Sequence, residues 1–227
     1  MTVSPARPAE SLWPARIAIL IVIALQVTLY DRLTAGPNWL LPFLEAALLP
    51  LTIVRYAHLR QVARLEGGRL GWLPSHGAAR VMAFGLIMLL NLANLVSLLL
   101  LVQALLPCSR ATGRMLLLNA LNIWSTNLIV YTLWYWGLDR GGPAKRRAGQ
   151  ERSPDMYFAQ TGMPDGAGPW QPSFIDYLFV SFTNATAFSP TDTLPLTPTA
   201  KVLMMIQAST SLLTLALVAS RAVNILG

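Results

Sequence analysis

Few side chains in this 227-residue chain have the chemistry of a reaction centre, and those that do stand inside long apolar runs. Glu45 is an acid within the apolar stretch from Trp39 to Tyr56. At that depth a carboxyl group serves as a proton relay, binds a cation or pairs with a base. Its stretch is short and interrupted by Pro42 and Pro50, so pairing with an arginine is the preferred expectation. Asn91 and Asn94 in one apolar run, and Asn119, Asn122 and Asn127 in the next, recur at roughly helical spacing. Such amides either bond helices together, at about 0.6–2 kcal/mol each, or line a hydrated path; the first is expected. His58 and His76 share one basic loop and Cys108 is the single cysteine, so neither a metal site nor a disulfide framework is expected. No serine–histidine pair, paired acids or metal-spaced set lies in the apolar runs, and neither enzyme activity nor a cofactor is expected.

The elements that carry these groups are set by the solvent they cross. Of the residues, 54% are hydrophobic and only 12% charged, about half the charged fraction of an ordinary soluble domain. About 20 apolar residues cross a bilayer as a helix, and five runs qualify: 12–30, 39–56, 81–106, 115–138 and 202–226. Backbone polar groups in hydrocarbon must bond internally, so these are helices; the alternation of a barrel is absent. The first run follows Arg7 and Arg16 like a signal peptide, but no small-residue cleavage pattern follows it, and a retained helix is expected. Runs three and four are joined by a short connection around Pro107 to Arg110, which predicts an antiparallel hairpin. The net charge of +7 would suit nucleic acid, but the arginines sit mainly in short loops between apolar runs, so no nucleic-acid partner is expected. Residues 139–171 have a linker's composition, with Gly, Pro and the Lys145-Arg146-Arg147 cluster. The run from Phe174 to Phe188 is somewhat short to span, and Ser189-Pro190-Thr191-Asp192 after it cannot face lipid. A short helix, an irregular polar strand and a full span predict a re-entrant loop.

From Asp176 to Val223 the chain resembles the pore helix, filter and inner helix of small bacterial potassium channels. Ser181-Phe182, Thr186, Asp192, Pro195, Thr197-Pro198 and Ala200-Lys201 stand at the places that family's pattern gives them. The layout of four spans, a Gly-Leu-Asp-Arg-Gly-Gly exit at 137–142, a loop and a last span also resembles an uncharacterised family of bacterial membrane proteins. The resemblance implies an all-α integral membrane protein of about five transmembrane helices plus one re-entrant pore helix and loop. Residues 1–110 would form a peripheral three-helix region with the basic loop 55–80. Residues 111–227 would form a pore-like module: outer helix 115–138, loop 139–171, pore helix 174–188, filter-like strand 187–192 and inner helix 202–226.

The filter departs from the family's pattern. Where potassium selectivity uses the stacked carbonyls of a glycine-containing strand, this chain has Ala187-Phe188-Ser189-Pro190-Thr191-Asp192. Ser189 and Thr191 replace both glycines, and Pro190 fixes its φ near −65°. Potassium selectivity is not expected. The resemblance then implies a wider, hydrated opening lined by Thr183, Thr186, Ser189 and Thr191, with a ring of Asp192 from four subunits favouring cations. Gln207 stands where the family often has glutamate. The expected function is passive conduction, of a monovalent cation, by a homotetramer in the bacterial inner (plasma) membrane. The alternatives are a non-conducting scaffold that keeps the pore-loop fold, with Phe188 and Pro190 closing the axis, and a secondary transporter. The positive-inside rule puts loops 55–80 and 139–171 in the cytoplasm, whereas the ordinary potassium-channel orientation puts both outside. A full crossing by 174–194 is a third topology.

Overall fold

The computed structural model describes residues 13–27, 76–104, 113–147, 152–162, 170–186 and 193–226. These are mostly helical. Helix α1 is Trp13–Val27, α2 His76–Ala104 and α3 Gly113–Leu138. A 3-10 turn, Asp139–Gly141, leads into the short helix α4, Pro143–Arg147. Strand β1, Met156–Phe158, precedes helix α5, Phe174–Ala185; strand β2, Thr193–Pro195, precedes helix α6, Pro198–Leu226. Three of the helices are long and apolar enough to cross a membrane, over Arg80–Gln103, Arg114–Gly141 and Pro198–Ser220. The expected span at 39–56, with Glu45, lies outside the described residues.

Helix α3 is the axis of the bundle. Of its apolar window 61% is buried, against 39% for α2 and 22% for α6. Helices α1, α2, α5 and α6 all pack on it, so the two expected regions share one core around Leu90, Val130, Tyr131, Tyr177 and Met204. At one end Phe84 of α2 stacks on Trp134 of α3, with centroids 5.2 Å apart. At the other, Leu98 and Leu101 of α2 meet Leu116, Ala120 and Ile123 of α3. The two helices are therefore antiparallel, as their short connection requires.

Both α5 and α6 run antiparallel to α3, starting beside its C-terminal end. Phe174 meets Trp136 edge to face, and Phe182, two turns on, meets Trp124. Likewise Gln207 of α6 bonds Tyr135, and Ser211 bonds Asn127. Helix α5 ends three residues before the expected 188. Its start is fixed by a serine–aspartate pair, in which the Asp176 carboxylate accepts from Ser173 N at 2.6 Å and Ser173 Oγ at 2.7 Å. Helix α6 begins four residues earlier than expected because Thr197 caps it, its Oγ1 accepting from Ala200 N at 3.3 Å, and Pro198 suits the first helical position.

The stretch expected to be linker-like is structured where described. Strand β1 pairs antiparallel with β2, Tyr157 opposite Leu194, so the chain before α5 and the chain after it are held together. Asp155 strengthens the join by accepting from Leu196 N through its carbonyl and from Thr197 Oγ1 through its carboxylate. Residues 140–142 all have positive φ, at 53°, 82° and 89°, which turns the chain sharply off the end of α3. Only glycine fits at 142, where a Cβ would stand 2.6 Å from the Gly137 carbonyl oxygen.

Candidate functional site

Two polar clusters fix α5 between α3 and α6. The first is centred on Asp139, fully buried at the end of α3. Its Oδ1 accepts from Asp155 N at 2.8 Å and Met156 N at 3.2 Å, and its Oδ2 accepts from the Tyr177 hydroxyl at 2.7 Å. Arg140 Nε lies 3.7 Å from the same carboxylate. One side chain thus joins the end of α3, the start of β1 and the first turn of α5. Arg146, 3% exposed, donates to the carbonyls of Trp136 and Asp139 and lies over the rings of Trp136 and Tyr177. That cation is held by the fold, so the charge bias of loop 139–171 overstates what is free to set membrane orientation.

The second cluster lies deeper, where α5 ends. Gln207 is fully buried and its amide is saturated. Oε1 accepts from the Tyr135 hydroxyl and from Asn184 Nδ2 at 2.9 Å; Nε2 donates to Ser181 Oγ at 2.7 Å and Ser181 O at 3.0 Å. Ser181 Oγ donates on to Leu128 O at 2.7 Å, and Asn184 Nδ2 also reaches Met204 O. All members are neutral, so the cluster holds helices together without placing charge in the interior.

The residues singled out in the sequence fall into three groups. Thr183 and Thr186 sit at the inner end of α5, each donating back to its own helix: Thr183 Oγ1 to Phe179 O at 2.9 Å, Thr186 Oγ1 to Phe182 O at 2.9 Å. Their oxygens keep acceptor capacity, but neither hydroxyl hydrogen is spare. Asn122 donates to Leu25 O of α1 at 2.6 Å and Asn127 to Ser211 Oγ of α6 at 2.7 Å, both between helices. Asn119 bonds its own helix at Met115 O, Asn91 lies beside Tyr131, and Asn94 is buried on α2. Ala187, Phe188, Ser189, Pro190, Thr191, Asp192 and Glu45 lie outside the described residues.

Sequence reasoning met Asp139 and Arg146 only within the 137–142 exit and the basic cluster 145–147, and it did not single out Tyr135, Tyr177 or Asn184. The available signal was an acid directly after a long apolar run, followed by two glycines; it marks a helix exit but names none of the carboxylate's partners. Four tryptophans pack against other rings: Trp134 on Phe84, Trp136 on Phe174, Trp124 on Phe182 and Trp170 on Phe158. No group of three or more metal-ligating side chains occurs among the described residues. Comparison with protein-family models, curated proteins and solved structures finds no match to this chain.

Proposed function

We propose that the chain is one subunit of a homotetrameric membrane channel that passively conducts monovalent cations through a re-entrant pore loop, without potassium selectivity. The observation that carries this reading is the path of α5. The helix descends about 18 Å along α3, at 1.5 Å per residue over its 12 residues, while the chain on both sides of it meets in the β1–β2 pair at the end where it started. Helix α6 then descends beside it. A short inward helix, a return to the same face and a long helix from that face are the parts of a pore loop and inner helix. In this reading α3 is the outer helix, and the six residues 187–192 make the narrowest part of the path.

A tetramer is favoured by what α5 and α6 leave uncovered. Ile175 and Phe179 on α5, and Val202, Met205, Ile206 and Leu212 on α6, are exposed. Lipid and neighbouring subunits would cover them, and a loop of this kind closes a path only when repeated around an axis. The protein would be multi-pass in the plasma membrane.

One observation favours a second reading, a non-conducting scaffold that keeps the pore-loop fold. The polar groups around the C-terminal end of α5 bond one another or the backbone of their own helix, as a purely structural cluster would. Cation flux into liposomes separates the two. Wild type is expected to pass potassium and sodium at similar rates, and Asp192→Asn to lower the cation flux, because it removes a ring of four negative charges. Sealed liposomes with verified insertion and no flux of potassium, sodium, protons or calcium would exclude conduction and leave the scaffold.

A further inference from the structure

At the end of the bundle where α3 stops, a cavity of about 780 Å³ opens between the starts of α2 and α6. Besides Leu138 it is lined by Arg80, Gly141, Arg152, Ser153, Asp155 and Thr199. Gly141 brings its two arginines together. Arg80 Nη1 donates to the Gly141 carbonyl at 2.9 Å, and the Arg152 stem lies 3.5 Å from where a Cβ on Gly141 would stand. With φ at +82°, and with the Lys145 stem only 2.7 Å from where a Cβ would stand, position 141 favours glycine, and the Arg152 stem packs on the same turn.

The arrangement is electrostatically unsatisfied. Arg80 is partly buried, and the charges of Arg152, which repels it, and Asp155, which attracts it, both act on it. The Asp155 carboxylate is already bonded by Thr197 Oγ1 at 2.8 Å. Among the described residues, no carboxylate comes within ion-pair distance of either guanidinium. Arg80 spends one of its five donors on Gly141 and lies 5.3 Å from the Phe84 ring, which fixes its position. Two arginines lining one cavity, together with Ser153 and Thr199, supply the donor types that bind a tetrahedral oxyanion. The apolar windows of α2, α3 and α6 all end here, at Arg80, Gly141 and Pro198. Where those spans cross a bilayer, the cavity would stand at the level of the headgroups.

We propose that this cavity is a phosphate-binding site, in which Arg80 and Arg152 hold the phosphate of an anionic lipid headgroup or of a soluble phosphate compound. The site is independent of whether the chain conducts. It would tie the ends of α2, α3 and α6 to one anion.

The test uses the purified full-length protein in detergent, with three probes: inorganic phosphate, phosphatidylglycerol and phosphatidylcholine. Binding is followed by native mass spectrometry for the lipids and by thermal-melt shift for inorganic phosphate against chloride of equal ionic strength. Arg152→Gln is the informative variant, because Arg152 is exposed and its loss leaves the Arg80–Gly141 bond intact. Lys201→Gln is the control, removing an exposed cation from the same end of α6 but not from the cavity. Saturable binding of phosphate or of phosphatidylglycerol is expected, weakened about tenfold or more by Arg152→Gln and unchanged by Lys201→Gln. Binding of inorganic phosphate would mark a site for soluble anions, and binding of phosphatidylglycerol alone a headgroup site; either supports the proposal. No saturable binding of either, or equal loss in both variants, would overturn it.

Discussion

Gln207→Leu is expected to destabilise the protein by about 2–4 kcal/mol, more than any other single change at the inner end of α5. Leucine nearly matches the side chain in size but removes an acceptor shared by Tyr135 and Asn184 and a donor used twice by Ser181. Each buried polar group left without a partner costs about 1–3 kcal/mol, and these groups are coupled, so the losses do not simply add. Gln207→Glu gives a sharper result. The Ser181 carbonyl needs a donor opposite it, and an ionised carboxylate has none. Only the neutral acid can donate there, so this variant's stability should fall as pH rises, while wild type shows no such loss from this position. Unfolding in detergent, followed by helical circular dichroism at several pH values, measures both effects. Equal stability of wild type and Gln207→Leu would mean that the cluster does not hold α5 to α6.

The second large effect is expected at Asp139. Asp139→Ala should cost about 3–5 kcal/mol, because three donors lose one shared acceptor and bonds that share an acceptor do not simply add. Asp139→Asn should cost about half as much. Its amide oxygen can still accept from Asp155 N and Met156 N, and its nitrogen can donate to the Tyr177 oxygen once that hydroxyl turns. The loss in Asp139→Ala should appear first as faster proteolysis between 148 and 173, since the clasp ties β1 to the helices. Unchanged proteolysis and melting in Asp139→Ala would show that another contact holds β1.

The sequence and the fold agree best where a single physical rule dominates. Long apolar runs predict α2, α3 and α6, because length against bilayer thickness leaves little choice. Local chemistry also marks the start of two helices: Ser173 with Asp176 opens α5 at 174, where the apolar run put it, and Thr197-Pro198 opens α6, whose start the apolar run alone drew at 202. What the sequence could not reveal is contact between distant residues. Asp139 reaches Asp155, Met156 and Tyr177 only because three successive positive φ values at 140–142 turn the chain back, and nothing in the spacing encodes those partners. Strands β1 and β2 have three residues each, too short for an alternation pattern. Gln207 was visible as a neutral residue where the resemblance leads one to expect glutamate. That the position needs an acceptor and a donor together follows only from Tyr135 and Asn184 on one side of it and Ser181 on the other.

The functional reading depends on the chain before α5 and the chain after β2 lying on one side of the membrane, and site-directed labelling tests this most directly. In a Cys108→Ala background, which removes the single native cysteine, one cysteine is introduced at a time at Thr161, Leu196 or Gln103. Thr161 precedes α5, Leu196 follows β2, and Gln103 lies at the opposite end of α2; all three are exposed. With a membrane-impermeant maleimide on sealed, oriented membranes, positions 161 and 196 are expected to react from the same side and position 103 from the other. Reaction of 161 and 196 from opposite sides would mean that 174–194 crosses completely, and it would contradict the pore loop on which the proposed conduction rests.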